Sequence, residues 1–269
     1  MNQRWREHRS SYRPAGEPIA TARYEVAEIA GDAEPKAFVE AHHYAASYPA
    51  ARFRFGLYRG GRLVGVAVFS MPCTNAVLTN VFPVPALEAC ELGRFVLLDD
   101  VEGNGESWFL ARCFELLRAE IAGVVSFSDP VPRTNETGAT VFPGHYGCIY
   151  QATNAVYTGL STPRSLHLLP DGTVLSPRAI QKIRKQERGW LGVCAKLERF
   201  GAEPIAGDPR GWLETWLPRL TRRLRHPGNH RYAFALDKRL RPQLLARAQK
   251  YPKPKETSCD DTCSGSVRS

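Results

Sequence analysis

The sequence predicts an α/β protein: a mixed-sheet sandwich with a basic, helical C-terminal extension. Three observations carry that expectation. Segments of strand and helix character alternate through the first two thirds of the chain. Gly60-Gly61 parts two β-rich runs, 52–59 and 62–70, and a two-glycine turn makes them an antiparallel hairpin. That early antiparallel pair argues against a doubly wound parallel sheet. The charge is lopsided: residues 178–255 hold 20 basic and 6 acidic side chains, whereas residues 1–177 hold 15 and 18.

The elements run in order along the chain. Residues 1–18 carry Pro14 and Pro18 without apolar periodicity and are expected to form a loose arm. ARYEVAEIA (22–30) alternates as a strand does, and EPKAFVEAHHY (34–44) has helical spacing. After the hairpin, LTNVFPVP (78–85) is expected to be extended. ACELGRFVLLDD (89–100) reads as a buried strand. GNGESWFLARCFELLRAEI (103–121) reads as a helix with Phe109, Cys113, Leu116 and Leu117 as its apolar stripe. GVVSFSDPVPR (123–133) is a strand stopped by Pro130, and 144–159 a loop then a short helix. SLHLLPDGTVLS (165–176) is a hairpin about Pro170-Asp171-Gly172. Ser176-Pro177 is a cap and first-turn pair. Two basic helices are expected beyond it, parted by GAEPIAGDPRG. The division is an arm (1–18), a catalytic body (19–177), a basic helical extension (178–250) and a disordered tail (251–269).

Composition limits the function classes. At 43% hydrophobic and 23% charged, the chain is globular. No apolar run reaches the roughly 18–20 residues of a membrane helix. Seven scattered Cys read as reduced thiols, and a cytoplasmic location is expected. Net charge +9, concentrated in one third, raises the odds of a polyanionic partner.

Several residues carry possible chemistry. In DDVEGNGES, Gly103 and Gly105 before a helix could cradle a phosphate; the other reading is a plain glycine turn. Arg94 lies mid-strand in an apolar run, where a charge needs a carboxylate, phosphate or carbonyl unless it faces solvent. It could pair with Asp129. Asp129 ends a strand, where it could orient or deprotonate an amine, or simply make an Asx turn. Ser107 could donate to a phosphate or cap its helix. Tyr44, Tyr146, Tyr150 and Tyr157 could wall a stacked base or pack a core. His42 and His43 with Asp129 would make a two-His-one-carboxylate metal set, though neighbours on a helix point about 100° apart. His226 and His230 lie in a Pro-Gly loop and suit backbone or phosphate contacts. Cys259 and Cys263 lack a second ligand pair for zinc. The basic stretches 178–188 and 219–232, interleaved with Trp190, Trp212, Trp216 and Tyr232, favour nucleic-acid contact over a merely solvated face.

The strand, glycine-rich turn and helix, on a sheet begun by a hairpin, resemble the GNAT acyltransferase fold, with Asp100 where that family carries Gln or Arg. HHY (42–44), ELGRFVLLDD (91–100), NGESWFLARC (104–113), SFSD (126–129) and YQATNAVY (150–157) more closely resemble the Mom-like phage DNA-modification proteins. That resemblance implies transfer of a carbamoylmethyl group to the exocyclic amine of adenine in double-stranded DNA, a phage defence against restriction in a bacterial host. It implies functional positions at Tyr44, Arg94, Ser107, Asp129 and Tyr150. The expected roles are Asp129 for the proton, Arg94 for the transferred group, and Tyr44 and Tyr150 for base or donor. Gly103, Asn104, Gly105 and Ser107 would hold the donor's phosphates, the donor being acetyl-CoA or another acyl or aminoacyl carrier. Arg184, Lys185, Arg222, Arg223, Arg225, His230 and Arg231 would meet DNA. Iron is implied by the resemblance, with His42 and His43 as candidate ligands. The rival expectations are an ordinary N-acetyltransferase acting on a protein, small amine or aminated base, and a DNA-binding protein with a dead pocket.

Overall fold

The computed structural model describes residues 17–253 and, ahead of them, the backbone of two strands. Those strands, β1 (Asn2–Arg6) and β2 (Arg9–Arg13), pair antiparallel, so the expected loose arm holds a hairpin. Residues 254–269, with most of the expected disordered tail and both of its cysteines, lie outside the described residues.

The frame is a seven-stranded mixed sheet: β3 (Tyr24–Glu28), β4 (Ala51–Arg59), β5 (Arg62–Ser70), β6 (Ala89–Leu97), β7 (Gly123–Ser128), β10 (Val156–Leu160) and β14 (His230–Ala235). The spatial order is β10-β14-β7-β6-β5-β4-β3. The β4–β5 turn is as expected, with Gly60 and Gly61 at φ of 56° and 76°. Every pair is antiparallel except β6 with β7. Helix α3 (Gly105–Leu117) and α4 (Cys148–Ala152) cover one face, burying Phe109, Leu110, Cys113 and Phe114 against Phe69, Leu92 and Phe234. Leu116, expected in the α3 stripe, is 52% exposed, and Phe114 takes its place. The other face holds α1 (Ala33–His42), α2 (Ala76–Thr79) and α8 (Arg241–Leu245). Residues 78–85, expected to be extended, begin instead as α2 and bury Leu78, Val81 and Phe82. A small pair, β8 (Arg133–Thr134) and β9 (Thr140–Phe142), closes one end.

The basic third is not a helical extension. It begins as one: α5 (Pro177–Lys185), α6 (Trp190–Glu198) and α7 (Pro209–Leu220) pack around Ile183, Cys194, Leu197 and Leu213, and Ser176 Oγ accepts from the Ala179 amide at 3.1 Å. The chain then returns to sheet. β13 (Arg222–His226) joins β11 (Arg164–Leu168) and β12 (Val174–Leu175) in a three-stranded sheet. β14 enters the main sheet between β10 and β7. In RRLRH, Leu224 and His226 turn inward and Arg223 and Arg225 outward, which is the period of a strand. The ladder partners of β13 and β14 lie 54 to 112 residues upstream, and a ladder that distant leaves no mark on local helical spacing. Tyr251, assigned to the tail, donates its hydroxyl to the Ala155 carbonyl at 2.7 Å.

Candidate active site

β6 and β7 run side by side only from Ala89↔Gly123 to Leu92↔Ser126. Beyond Leu92, β6 keeps β5 as its partner while β7 follows β14. The parting of two parallel strands opens a cavity of about 370 Å³ in the middle of the sheet. Tyr44, Arg94, Asp129 and Tyr150, which come from four separate stretches of the chain, all line it. His43, Glu91, Arg133, Phe142 and His145 complete the same wall.

Asp129 follows the last residue of β7. Its Oδ2 accepts from Arg133 Nη1 at 2.6 Å, and its Oδ1 lies 2.8 Å from His226 Nε2. The Val131 amide donates to Oδ1 at 3.0 Å, so the expected Asx turn is present as well. Burial works to raise the carboxyl, but the bonds from His226 and Arg133 outweigh it and hold the group below its ordinary range. Asp129 is thus a carboxylate at neutral pH. Arg94 does not pair with it. The guanidinium donates to the Ser47 carbonyl and Oγ, each at 2.8 Å, and to the Gly93 carbonyl at 2.6 Å. A carbonyl was one of the expected partners for a charge in that run.

Next to the carboxylate is an aromatic corner. Tyr44 lies 4.8 Å from Phe142 and 5.9 Å from His145 between ring centres. The Arg133 guanidinium covers the Phe142 ring at 4.0 Å. Tyr44 is 38% exposed, but its hydroxyl turns inward to within 3.3 Å of His145 Nε2. Burial raises the phenols of Tyr44 and Tyr150, so both are hydroxyl donors. Burial also lowers His145 to about 4 and His43 to about 3, leaving both imidazoles neutral at physiological pH. His145, Arg133 and Phe142 were missed in the sequence. His145 lies in a loop, and Arg133 and Phe142 lie in β8 and β9, strands too short for a periodicity to show, so only the fold brings them to β7.

Two expected groupings do not form. Among the described residues, no three of His, Cys, Asp and Glu converge to hold a metal ion. His42 stacks on Phe38, His43 on Tyr44, and both Asp129 oxygens are held by protein donors. The site residues do not fit an iron centre. The turn before α3 is the second. Gly103 and Gly105 both keep negative φ. The Gly103 amide donates to Glu17 Oε2 at 2.7 Å, and the Gly105 amide to the Glu102 carbonyl at 2.9 Å. A Cβ on Gly105 would stand 2.5 Å from Val101 Cγ1, so packing requires this glycine. Ser107 Oγ donates to the Asn104 carbonyl at 3.2 Å, and Asn104 is exposed. Asp100 is bound by Arg59 and Arg62. The Gly103 and Gly105 amides, two of those expected to cradle a phosphate, are thus taken up within the chain.

The expected DNA contacts divide as well. Arg184, Lys185, Arg222, Arg223 and Arg225 are exposed. Arg184 and Arg223 both act on His167, which burial first and then these two charges lower. Arg184 at the end of α5 and Arg223 on β13 therefore both lie near His167. His230 instead is buried with its Nδ1 2.9 Å from the Tyr157 hydroxyl, and Arg231 donates to Thr158 Oγ1 and carbonyl. Both lie in β14, inside the main sheet, where the ladder fixes their direction.

These features define a mixed α/β protein whose cleft, between two diverging parallel strands, joins a fixed carboxylate to an aromatic corner. The chain belongs to the Mom protein family, whose model matches residues 23–253. No curated protein matches it. Among solved structures it is similar to a tandem GNAT protein from the clavulanic acid biosynthesis pathway (11% identity, TM-score 0.36, 66% of this chain and 64% of that one). It is also similar to a GNAT-family acetyltransferase from Streptococcus pneumoniae (14%, 0.27, 42% and 55%). A third is a Bacillus subtilis acetyltransferase in complex with CoA (10%, 0.29, 79% and 97%). The chain thus spans less than two thirds of the first two. No helix among the described residues is long and apolar enough to cross a membrane.

Proposed function

We propose that this protein is a DNA-modifying transferase that adds a carbamoylmethyl group to the exocyclic amine of adenine. Membership of the Mom family supports a DNA substrate. The observation that carries the reading is the Asp129 carboxylate, gripped at both oxygens beside the Tyr44, Phe142 and His145 rings.

The adenine amine is a poor nucleophile, because its lone pair is delocalised into the ring. It is also paired in the duplex and must be turned out before it can react. The aromatic corner offers the extruded base a stacking surface. Asp129 accepts the amine proton as the new N–C bond forms, while the donor's leaving group departs with its electron pair. Arg94, fixed by Ser47 and Gly93, presents positive charge to the transferred group. Its partners are double-stranded DNA, met by the exposed basic residues of α5 and β13, and a group donor whose pyrophosphate, if it has one, does not take the Gly103 and Gly105 amides.

The test is intact-mass analysis of nucleosides from the DNA of cells expressing the protein. A carbamoylmethyl increment on deoxyadenosine is the expected result. An acetyl increment on any acceptor, or unmodified DNA that still binds, removes this reading.

A further inference from the structure

His226 ends β13, is fully buried, and has both ring nitrogens engaged. The Gly228 amide donates to Nδ1 at 3.0 Å, and Nε2 lies 2.8 Å from Asp129 Oδ1. A nitrogen that accepts carries no proton, so the ring proton sits on Nε2 and is donated to the carboxylate. The turn that sets this tautomer is itself locked. Gly228 has φ +111°, and a Cβ there would stand 2.0 Å from the Ser161 carbonyl oxygen. The Asn229 amide donates to Ser161 Oγ, and the Ser161 amide to the Asn229 carbonyl, each at 2.8 Å. On the other side Arg133 holds Oδ2 at 2.6 Å. Two donors from separate elements thus hold one carboxylate by its two oxygens, which sets both its position and its plane.

We infer that His226 is the positioning residue that aims the Asp129 carboxylate into the cavity, working through Asp129 and not on the substrate. This inference rests on the proposed role of Asp129 as proton acceptor. It also gives β13 two duties. His226 points inward from the strand, while Arg223 and Arg225 alternate to its outer, exposed face. The strand that meets DNA phosphates in the proposed reading also sets the carboxylate.

The test compares His226→Gln, whose amide nitrogen can stand where Nε2 stands, with His226→Leu, which removes the donor. Steady-state modification of a duplex oligonucleotide is measured for both, together with thermal unfolding. His226→Leu should lose about 10–100-fold in kcat with KM for DNA within about twofold, as expected for a misplaced reacting group. His226→Gln should recover most of the loss. Equal loss in both variants, or loss confined to KM, overturns the inference. A second readout needs no activity. The ¹⁵N spectrum of histidine-labelled wild-type protein should show His226 protonated at Nε2 only, and protonation at Nδ1 overturns the inference. Wild-type protein that leaves DNA unmodified would sink the adenine reading, while the spectrum would still judge the His226–Asp129 bond.

Discussion

The end of β7 and the turn before α3 look alike in the sequence, since each is a short polar break between an apolar strand and the next element. They differ in what the folded chain does with their polar groups. At the end of β7, other elements deliver Arg133 and His226 to Asp129, and the finished carboxylate borders an open cavity. In the α3 turn the amides are consumed by Glu17 and Glu102, and Gly105 is packed on Val101. A glycine needed so that a ligand can approach and one needed so that a neighbouring methyl can pack are the same letter. A carboxylate at a strand end is more telling, because leaving it buried without partners is costly.

The largest expected effect comes from removing what supports the first region. Truncation before Arg178 deletes β13 with His226 and β14 from the interior of the main sheet. Tyr232, Ala233 and Phe234 go with it, all 5% exposed or less. Each large ring buried contributes about 1.5–3 kcal/mol, against a whole-domain stability of about 5–15 kcal/mol. The truncated chain should therefore be unfolded or aggregated by circular dichroism and size-exclusion chromatography. A monomer with native near-UV signal would restore the division into body and extension.

Asp129→Asn sharpens the comparison next. The amide keeps the shape but cannot take a proton, and its NH2 must face the Arg133 or the His226 donor, so modification should fall about 10²–10⁴-fold. Affinity for unmodified duplex should stay near wild type, because phosphate contacts dominate it. Retention of more than about a tenth of the wild-type rate, measured on nucleosides, would reduce Asp129 to the turn residue it also is. Gly105→Val should act on stability alone. Forcing a branched side chain against Val101 should cost about 1–3 kcal/mol in urea unfolding. A change in donor affinity without loss of stability would make the α3 turn a binding site after all.

Much of this was legible. The β4–β5 hairpin, β6, α3, β7 and the 165–176 hairpin declare themselves through local signals: a two-glycine turn, period-two or period-3.6 spacing, and a proline stop. Tyr44, Arg94, Asp129 and Tyr150 were singled out from residue type and family resemblance, and the fold brings them to one cavity. What failed to show was non-local. The arginines and histidines of 219–232 have the composition of a basic helix. Only strands far upstream, β7, β10 and β11, decide that they form sheet. His226 was visible only as a loop histidine, since its partner is 97 residues away.

The pH dependence of stability draws most on the aromatic corner, although burial lowers His167 and His230 as well. His145 is held at about 4 and His43 at about 3, chiefly by burial. An unfolded histidine titrates near about 6.5. As pH falls through that value, the unfolded chain takes up protons that these two folded imidazoles refuse, so their contribution to stability is lost downward from about pH 6.5. The urea midpoint should drop between pH 7.5 and pH 5, and His145→Phe should flatten the drop. An equal drop in that variant would mean that other groups set the slope.

The smallest expected effect lies on the outer side of β13, opposite the histidine that grips Asp129. Arg223 and Arg225 are exposed there, Arg223 near the same His167 as Arg184, and Arg222 is exposed at the start of the strand. Each phosphate neutralised releases condensed counterions and adds about 0.9 to the log–log salt slope of duplex binding. Replacing all three by Ala should lower that slope by up to about 3 units. The loss should be alike for unrelated sequences, because phosphate contacts carry no base information. The kcat on saturating DNA should hold, since none of the three touches the cavity wall. An unchanged slope would move the DNA path off this strand. A fall in kcat at saturation would show that the two faces of β13 are coupled, and that DNA seated on the outer face helps to set the carboxylate on the inner one.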